Sequence, residues 1–170
     1  QTKVGVLICE DQWVDGPIDR LCTSNVDVIV SLNASPFQID KQNQRIDICK
    51  LFALKFDLFF IYVNMVGGQD EVVFDGNSFV ISNHGELTLQ FPAFKELSLL
   101  HNSTDYLPST LSEEESIYSA LVLATRDYIQ KNSFGGALIG LSGGIDSALT
   151  LAVAADAIGP ENVHAVMMPY

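Results

Sequence analysis

The chain has 170 residues, 48% of them hydrophobic, and a formal net charge of −12. That is enough apolar material for one or two packed domains, and the charge excludes a nucleic-acid surface, which needs a basic patch. No apolar run reaches the length of a membrane span. Its three cysteines (Cys9, Cys22 and Cys49) are widely spaced without a Cys-x-x-Cys pair, which fits a reduced, cytoplasmic protein rather than a disulfide framework.

Gln1-Thr2-Lys3 leads into Val4–Ile8 with no leader segment. This apolar run reads as a strand covered on both faces, and it ends at Cys9-Glu10-Asp11-Gln12-Trp13. Pro17, a good first-turn residue, opens a helix to about Thr23. Val26 to Leu32 reads as a second buried strand, ending at Asn33-Ala34-Ser35-Pro36-Phe37. The apolar stripe Ile39, Ile46, Cys49, Ala53 and Phe56 predicts a helix over 38–56. A third strand, Leu58 to Val63, ends at Asn64-Met65-Val66-Gly67-Gly68-Gln69-Asp70. Short strands at 72–74, 78–82 and 87–91, separated by Gly76 and Asn83-His84-Gly85, read as a meander of hairpins. Two strand–helix–strand steps followed by antiparallel strands predict a mixed α/β layer.

The polar stretch from His101 to Thr110, with Pro108, reads as a linker. The expected organisation is therefore a domain over 1–100, a linker over 101–111 and a second domain over 112–170. Ser112-Glu113-Glu114-Glu115 is a capping box, and Ile117, Leu121, Ala124 and Tyr128 continue the helix to about Asn132. Gly135-Gly136 turns the chain into an apolar strand, Ala137–Leu141. The helix from Ala148 to Ile158 is apolar nearly all round, as a buried helix would be. Gly159-Pro160 stops it, and Val163–Met168 is the next strand. The chain begins inside a strand and ends one strand after this helix, so it reads as an internal piece of a larger enzyme.

Between the strand at 137–141 and the helix lies Gly140-Leu141-Ser142-Gly143-Gly144-Ile145-Asp146-Ser147. Glycines let successive backbone N–H groups converge on one oxyanion, and the helix behind adds unpaired N–H groups and the positive end of its dipole. Ser142 and Ser147 supply hydroxyls, and Asp146 is placed to hold a magnesium ion against phosphates. The Gly-Lys-Ser/Thr ending of a Walker loop is missing. A plain strand–turn–helix corner would use serine caps and glycine turns too, but it requires neither the double glycine nor Asp146.

Cys9 closes a strand at the sheet edge where α/β proteins bind ligands, with Asn33-Ala34-Ser35 and Asn64 at the ends of neighbouring strands. An unpaired cysteine is also a common core residue, the reading that suits Cys22 and Cys49 better.

The segment Ser-Gly-Gly-Ile-Asp-Ser resembles the pyrophosphate loop of the PP-loop ATP pyrophosphatases. Leu-Ile-Cys-Glu-Asp-Gln-Trp, Asn-Ala-Ser-Pro-Phe and Tyr-Val-Asn-Met-Val-Gly-Gly-Gln-Asp-Glu-Val-Val-Phe-Asp-Gly resemble a nitrilase-type glutaminase domain. Together, over essentially the whole chain, they resemble the glutamine-dependent NAD synthetases. The fold this implies is the C-terminal half of a nitrilase-like αββα domain followed by the start of a doubly wound PP-loop domain. The resemblance implies Cys9 as the thiolate of a Glu-Lys-Cys triad, with the Glu and Lys in sequence upstream of this chain; Lys3, on the same strand as Cys9, is no substitute. It implies Ser35 and Lys41 as glutamine-binding residues, against the plainer readings of a turn cap and a solvated helix residue, with Glu10 and Trp13 as weaker candidates. It also implies ATP on residues Gly140 to Ser147, Mg2+ on Asp146, deamido-NAD as acceptor, and a homo-oligomer. Another glutamine-fed PP-loop amidotransferase and a non-catalytic scaffold of the same fold remain alternatives. Without the upstream Glu and Lys and the acceptor site, this piece alone should have little activity.

Overall fold

A computed structural model describes residues 1–14, 16–98 and 111–168. The predicted linker, apart from Leu111, lies outside the described residues. The chain divides into two compact units, 1–66 with 74–111, and 67–73 with 112–170.

In the first unit, β1 (Val4–Ile8), β2 (Val28–Asn33) and β3 (Phe59–Asn64) pair in parallel in that order. The crossovers are α1 (Pro17–Cys22) and α2 (Lys41–Phe56). The sheet is completed by antiparallel β6 (Phe79–Ile81) and β7 (Leu87–Gln90), giving the order β1-β2-β3-β6-β7. The expected mixed α/β layer is present, with the core on the helix side. Leu7, Ile29, Phe60, Tyr62, Phe79 and Ile81 from the strands pack with Ile18, Cys49 and Ala53 from the helices. Tyr62 stacks on Phe79 with ring centroids 4.8 Å apart.

Several local expectations are corrected. The predicted meander does not include residues 72–74: β5 (Val72–Asp75) pairs with β4 (Val66–Gln69), a strand hidden in the sequence by its two glycines. The strands are not covered on both faces among the described residues. Successive side chains of a strand point to opposite sides, and Val4, Val6, Ile8, Leu32, Phe59 and Val63 all lie on the side without helices and remain exposed. Helix α2 begins at Lys41 because Asp40 takes a left-handed backbone (φ +62°), and Ile39 is exposed rather than part of the stripe.

In the second unit, α3 (Glu113–Lys131) starts on the predicted capping box. The Ser112 hydroxyl accepts from the Glu115 N–H (3.2 Å), and the Glu115 carboxylate accepts from the Ser112 N–H (2.8 Å). Its buried residues are Ala120 and Leu123; the predicted stripe residues Ile117, Leu121 and Tyr128 are exposed. β8 (Ala137–Leu141) pairs in parallel with β9 (Val163–Met167) around α4 (Ile145–Ile158). Helix α4 starts three residues before the predicted Ala148, and it buries only one face, through Val153, Ala154 and Ala157, while Leu149 and Ala152 are exposed. The segment 67–73 packs on α3: the Gly68 N–H donates to Asp127 Oδ2 at 2.8 Å, and the Lys131 ammonium donates to the Gly68 carbonyl.

Candidate functional sites

The parallel register sets Ile8 beside Leu32 and Asn33 beside Asn64, so the C-terminal ends of three strands form one polar edge in the first unit. Cys9 is the first residue past β1. It opens a 3-10 turn, Cys9–Gln12, with a left-handed backbone (φ +47°), unusual for a residue with a β-carbon. The turn is tied down from both ends. The Asp11 carboxylate accepts from the Ile8 N–H (2.9 Å), and the Glu10 carbonyl accepts from the Trp13 N–H (2.8 Å). Gln12, fully buried, accepts from the Ser31 hydroxyl at 2.6 Å, and Asn33 bonds back to Ser31 and to the Val63 carbonyl. The thiol is half-buried, in contrast to Cys49, which is fully enclosed and whose pKa is pushed well up by burial. Burial also raises the Cys22 thiol, with Asp19 adding to it.

Ser35, itself buried, follows β2 in an irregular stretch between exposed Ala34 and Pro36. Its N–H donates to Asn64 Oδ1 (2.9 Å) while the Asn64 amide donates back to the Ser35 carbonyl (3.1 Å), clamping the two strand ends together. Lys41, at the start of α2, holds its ammonium 4.5 Å from the centre of the Trp13 ring, so two predicted site residues meet in a cation–π contact. Glu10 is exposed beside Cys9.

Sequence reasoning missed the residues beneath this edge. Arg45 is fully buried on α2 and pairs with the carboxylate of Asp75 at 2.9 Å. A positive charge there was signalled by its spacing: Arg45 stands in one helical row with Cys49 and Ala53, both buried. Asp75 gave no comparable signal, reading as the first half of an Asp-Gly turn.

In the second unit, Leu141 ends β8 and Ser142, Gly143 and Gly144 lead into α4. Gly143 has φ +85° and no atom within 4 Å of where a β-carbon would stand, leaving its surroundings open. Gly144 is the N-cap with no side chain to cap the helix, so the first N–H groups of α4 have no side-chain acceptor there. The predicted loop residues Ile145, Asp146 and Ser147 form the first helical turn. The Ser142 and Ser147 hydroxyls are 3.2 Å apart, and Ser147 donates to the Gly144 carbonyl at 2.9 Å. Gly140 lies within β8, where a β-carbon would come 2.7 Å from Cε of Met168. Asp146 is exposed in the first turn. No cluster of three His, Cys, Asp or Glu suited to a metal is found among the described residues, and no described helix is long and apolar enough to cross a membrane. A lone exposed carboxylate in the first turn of a helix whose N-terminus has no side-chain cap is compatible with magnesium, which keeps its waters and takes one or two carboxylates with phosphate oxygens.

Among known proteins, the family described as "Carbon-nitrogen hydrolase" matches residues 1–102, and "NAD synthase" matches residues 117–170. The chain is 45% identical, over 99% of its length, to the glutamine-dependent NAD(+) synthetase of Acinetobacter baylyi, and covers 32% of that protein. It is 38% identical over 98% of its length to that of Synechocystis sp., covering 34%. The structure of glutamine-dependent NAD+ synthetase from Acinetobacter baumannii in complex with ADP superposes with a TM-score of 0.92 at 46% identity, over 99% of this chain and 34% of that one. A carbon-nitrogen hydrolase from Helicobacter pylori shares the fold over 56% of this chain and 38% of its own, at a TM-score of 0.53 and 22% identity. The chain thus spans about a third of the length of the curated relatives it matches. With the first match covering 1–102, more than half of the residues, this chain belongs to the carbon-nitrogen hydrolase family, and its nitrilase-like domain runs on into the start of an NAD synthase PP-loop domain.

Proposed function

We propose that the protein to which these residues belong makes NAD from deamido-NAD, using ATP and ammonia drawn from glutamine. The observation that carries this reading is the pairing in one chain of a half-buried thiol on a strained strand-end turn with a glycine cradle at a helix N-terminus. Both lie in a sequence similar throughout to glutamine-dependent synthetases.

In the first half-reaction the Cys9 thiolate attacks the side-chain amide carbon of glutamine. The C–N bond breaks as the proton the triad's base took from the thiol passes to the amide nitrogen, which leaves as ammonia; water then cleaves the thioester to give glutamate and the free thiol. Lys41 and Ser35 hold the amino-acid end of glutamine; Glu10 and Trp13 flank it, and the Glu10 backbone N–H faces the developing oxyanion, a contribution of about 2.7–4 kcal/mol for such a donor. The base and the oxyanion lysine of the triad are not matched within residues 1–170, so these residues alone should hydrolyse little glutamine.

In the second half-reaction a carboxylate oxygen of deamido-NAD attacks the α-phosphorus of ATP, pyrophosphate departs, and ammonia displaces AMP from the resulting adenylate. The backbone of Gly140 to Ser147 and the Ser142 and Ser147 hydroxyls hold the outer phosphates. Asp146 would hold magnesium, which supplies charge neutralisation to the phosphates when bound. The substrates are small molecules, the protein works in the cytoplasm, and it assembles as a homo-oligomer.

Cys9→Ala in the full-length protein tests the assignment. Synthesis driven by glutamine should disappear while synthesis from added ammonia continues. Retention of both would make Cys9 a packing residue and refute the reading.

A further inference from the structure

The guanidinium of Arg45 is committed to more than a charge partner. Its Nη1 donates to both carboxylate oxygens of Asp75 (2.9 Å each) and to Gln42 Oε1 (3.3 Å). Its Nη2 donates to the carbonyls of Ser35 (2.8 Å) and Pro36 (3.0 Å) and to Ser35 Oγ (3.1 Å), and Nε donates to the same Oγ (3.2 Å). Both members of the pair are enclosed, with side chains 0% and 3% exposed. Asp75 is steadied in turn by the Asn77 amide at 3.0 Å.

A buried ion pair that served folding alone would need acceptors, not these particular ones. Here the acceptors beyond Asp75 and Gln42 all belong to Ser35 and Pro36. The consequence for Ser35 is chemical. A hydroxyl has one donor and two acceptor positions, and both acceptor positions are taken by guanidinium N–H groups. Among the described residues this hydroxyl donates to no acceptor in bonding geometry; the Tyr62 phenol lies close enough for Ser35 to favour its anion but not in bonding geometry with it. A hydroxyl that accepts from a cation is polarised to donate more strongly. The charge of Arg45 itself is balanced by Asp75, so the charge on offer to an incoming carboxylate is that of Lys41.

We propose that Arg45, its charge balanced by Asp75, is a positioning residue for glutamine: it fixes the Ser35–Pro36 segment and turns the Ser35 hydroxyl into an oriented donor for the substrate's α-carboxylate. The inference rests on the glutamine reading given above.

The test uses full-length protein, with KM and kcat for glutamine measured alongside thermal unfolding. Arg45→Lys keeps the charge and the Asp75 pair, but one ammonium cannot serve Ser35, Pro36 and Asp75 together. KM for glutamine should rise about tenfold or more, the weight of one hydrogen bond to a charged group, with kcat little changed. The paired variant Arg45→Met with Asp75→Leu removes both charges at once, which buried pairs tolerate without loss of fold. It should raise KM as much, although it unfolds at a temperature near the parent's. Ser35→Ala added to Arg45→Lys should raise KM no further, since both changes remove the same donor. A folded variant of either kind with the parent's KM, or additive effects of Ser35→Ala and Arg45→Lys, would overturn the proposal. Loss of glutamine use in Cys9→Ala beside an unchanged KM in Arg45→Lys removes only the role of Arg45, whereas glutamine use that survives Cys9→Ala removes the underlying reading.

Discussion

Gly144→Ser should steady the protein and, under the proposed function, weaken its binding of ATP. Gly144 is the N-cap of α4, with extended backbone angles (φ −85°, ψ 160°) open to any residue. A β-carbon there would sit 3.6 Å from Ser142 Oγ, an ordinary contact. A serine cap in place of glycine gains a few tenths of a kcal/mol, because its oxygen takes one of the helix N–H groups. In the proposed function that same N–H belongs to a phosphate. A hydrogen bond to a charged group is worth about 1.5–3 kcal/mol, so Gly144→Ser should raise the KM for ATP about 10- to 150-fold. Gly143→Ala separates the two effects. At φ +85° with nothing near the new methyl, it should lose about 1–2 kcal/mol through the backbone alone, lowering stability and ATP affinity together. Thermal unfolding without nucleotide and ATP titration of ammonia-driven synthesis, both on full-length protein, give the two numbers. Gly144→Ser with an unchanged KM for ATP would refute the phosphate cradle at this helix.

The phenol of Tyr62 is buried with no hydrogen-bond partner in bonding geometry among the described residues, and burial pushes its pKa up to about 12, opposed by the charge of Arg45 and by the neighbouring Ser35 hydroxyl. A raised folded-state pKa means that the stability is fully present below the ordinary phenol value of about 10 and is lost as pH rises toward the folded value. Tyr62→Phe should be neutral or slightly stabilising near pH 7 and flatten this alkaline fall in urea melts; an unchanged fall would clear Tyr62. Ser112→Ala should cost about 1 kcal/mol by breaking the capping box, and hydrogen exchange should show the loss in the first turn of α3; protection left intact would mean that packing, not the cap, holds that end. Gly68→Ala would bring a β-carbon 3.0 Å from the Ala124 backbone. It should cost about 1–3 kcal/mol and raise exchange at 67–73, whereas Gly135→Ala, with open space around it, should not.

What could be read along the chain was what is decided locally. The strands β1, β2 and β3 show as apolar runs, the α3 start shows in Ser112 and Glu115, and the α4 stop shows in Gly159, which indeed has φ +86°. What could not be read depends on residues far apart. The spacing of Arg45 with Cys49 and Ala53 points to its burial, but its partner Asp75, thirty positions on, cannot be read from the sequence. Strand β4 has two glycines in four residues and exists through its pairing with β5. The apolarity of Val4, Val6 and Ile8 is plain in the sequence, but which of their faces meets a helix is settled by where α1 and α2 pack. The edge carrying Cys9, Ser35 and Lys41 lay open to motif and strand-end reasoning, while the Gln12–Ser31 and Arg45–Asp75 supports below it did not.

The backbone of Cys9 carries a consequence for protein engineering. A left-handed conformation is uncomfortable for cysteine by about 1–2 kcal/mol and comfortable for glycine, so Cys9→Gly should fold more readily than the parent. Libraries ranked by expression or heat tolerance would drift toward discarding the sulfur, so screening for the proposed chemistry demands a readout of amide cleavage at every round.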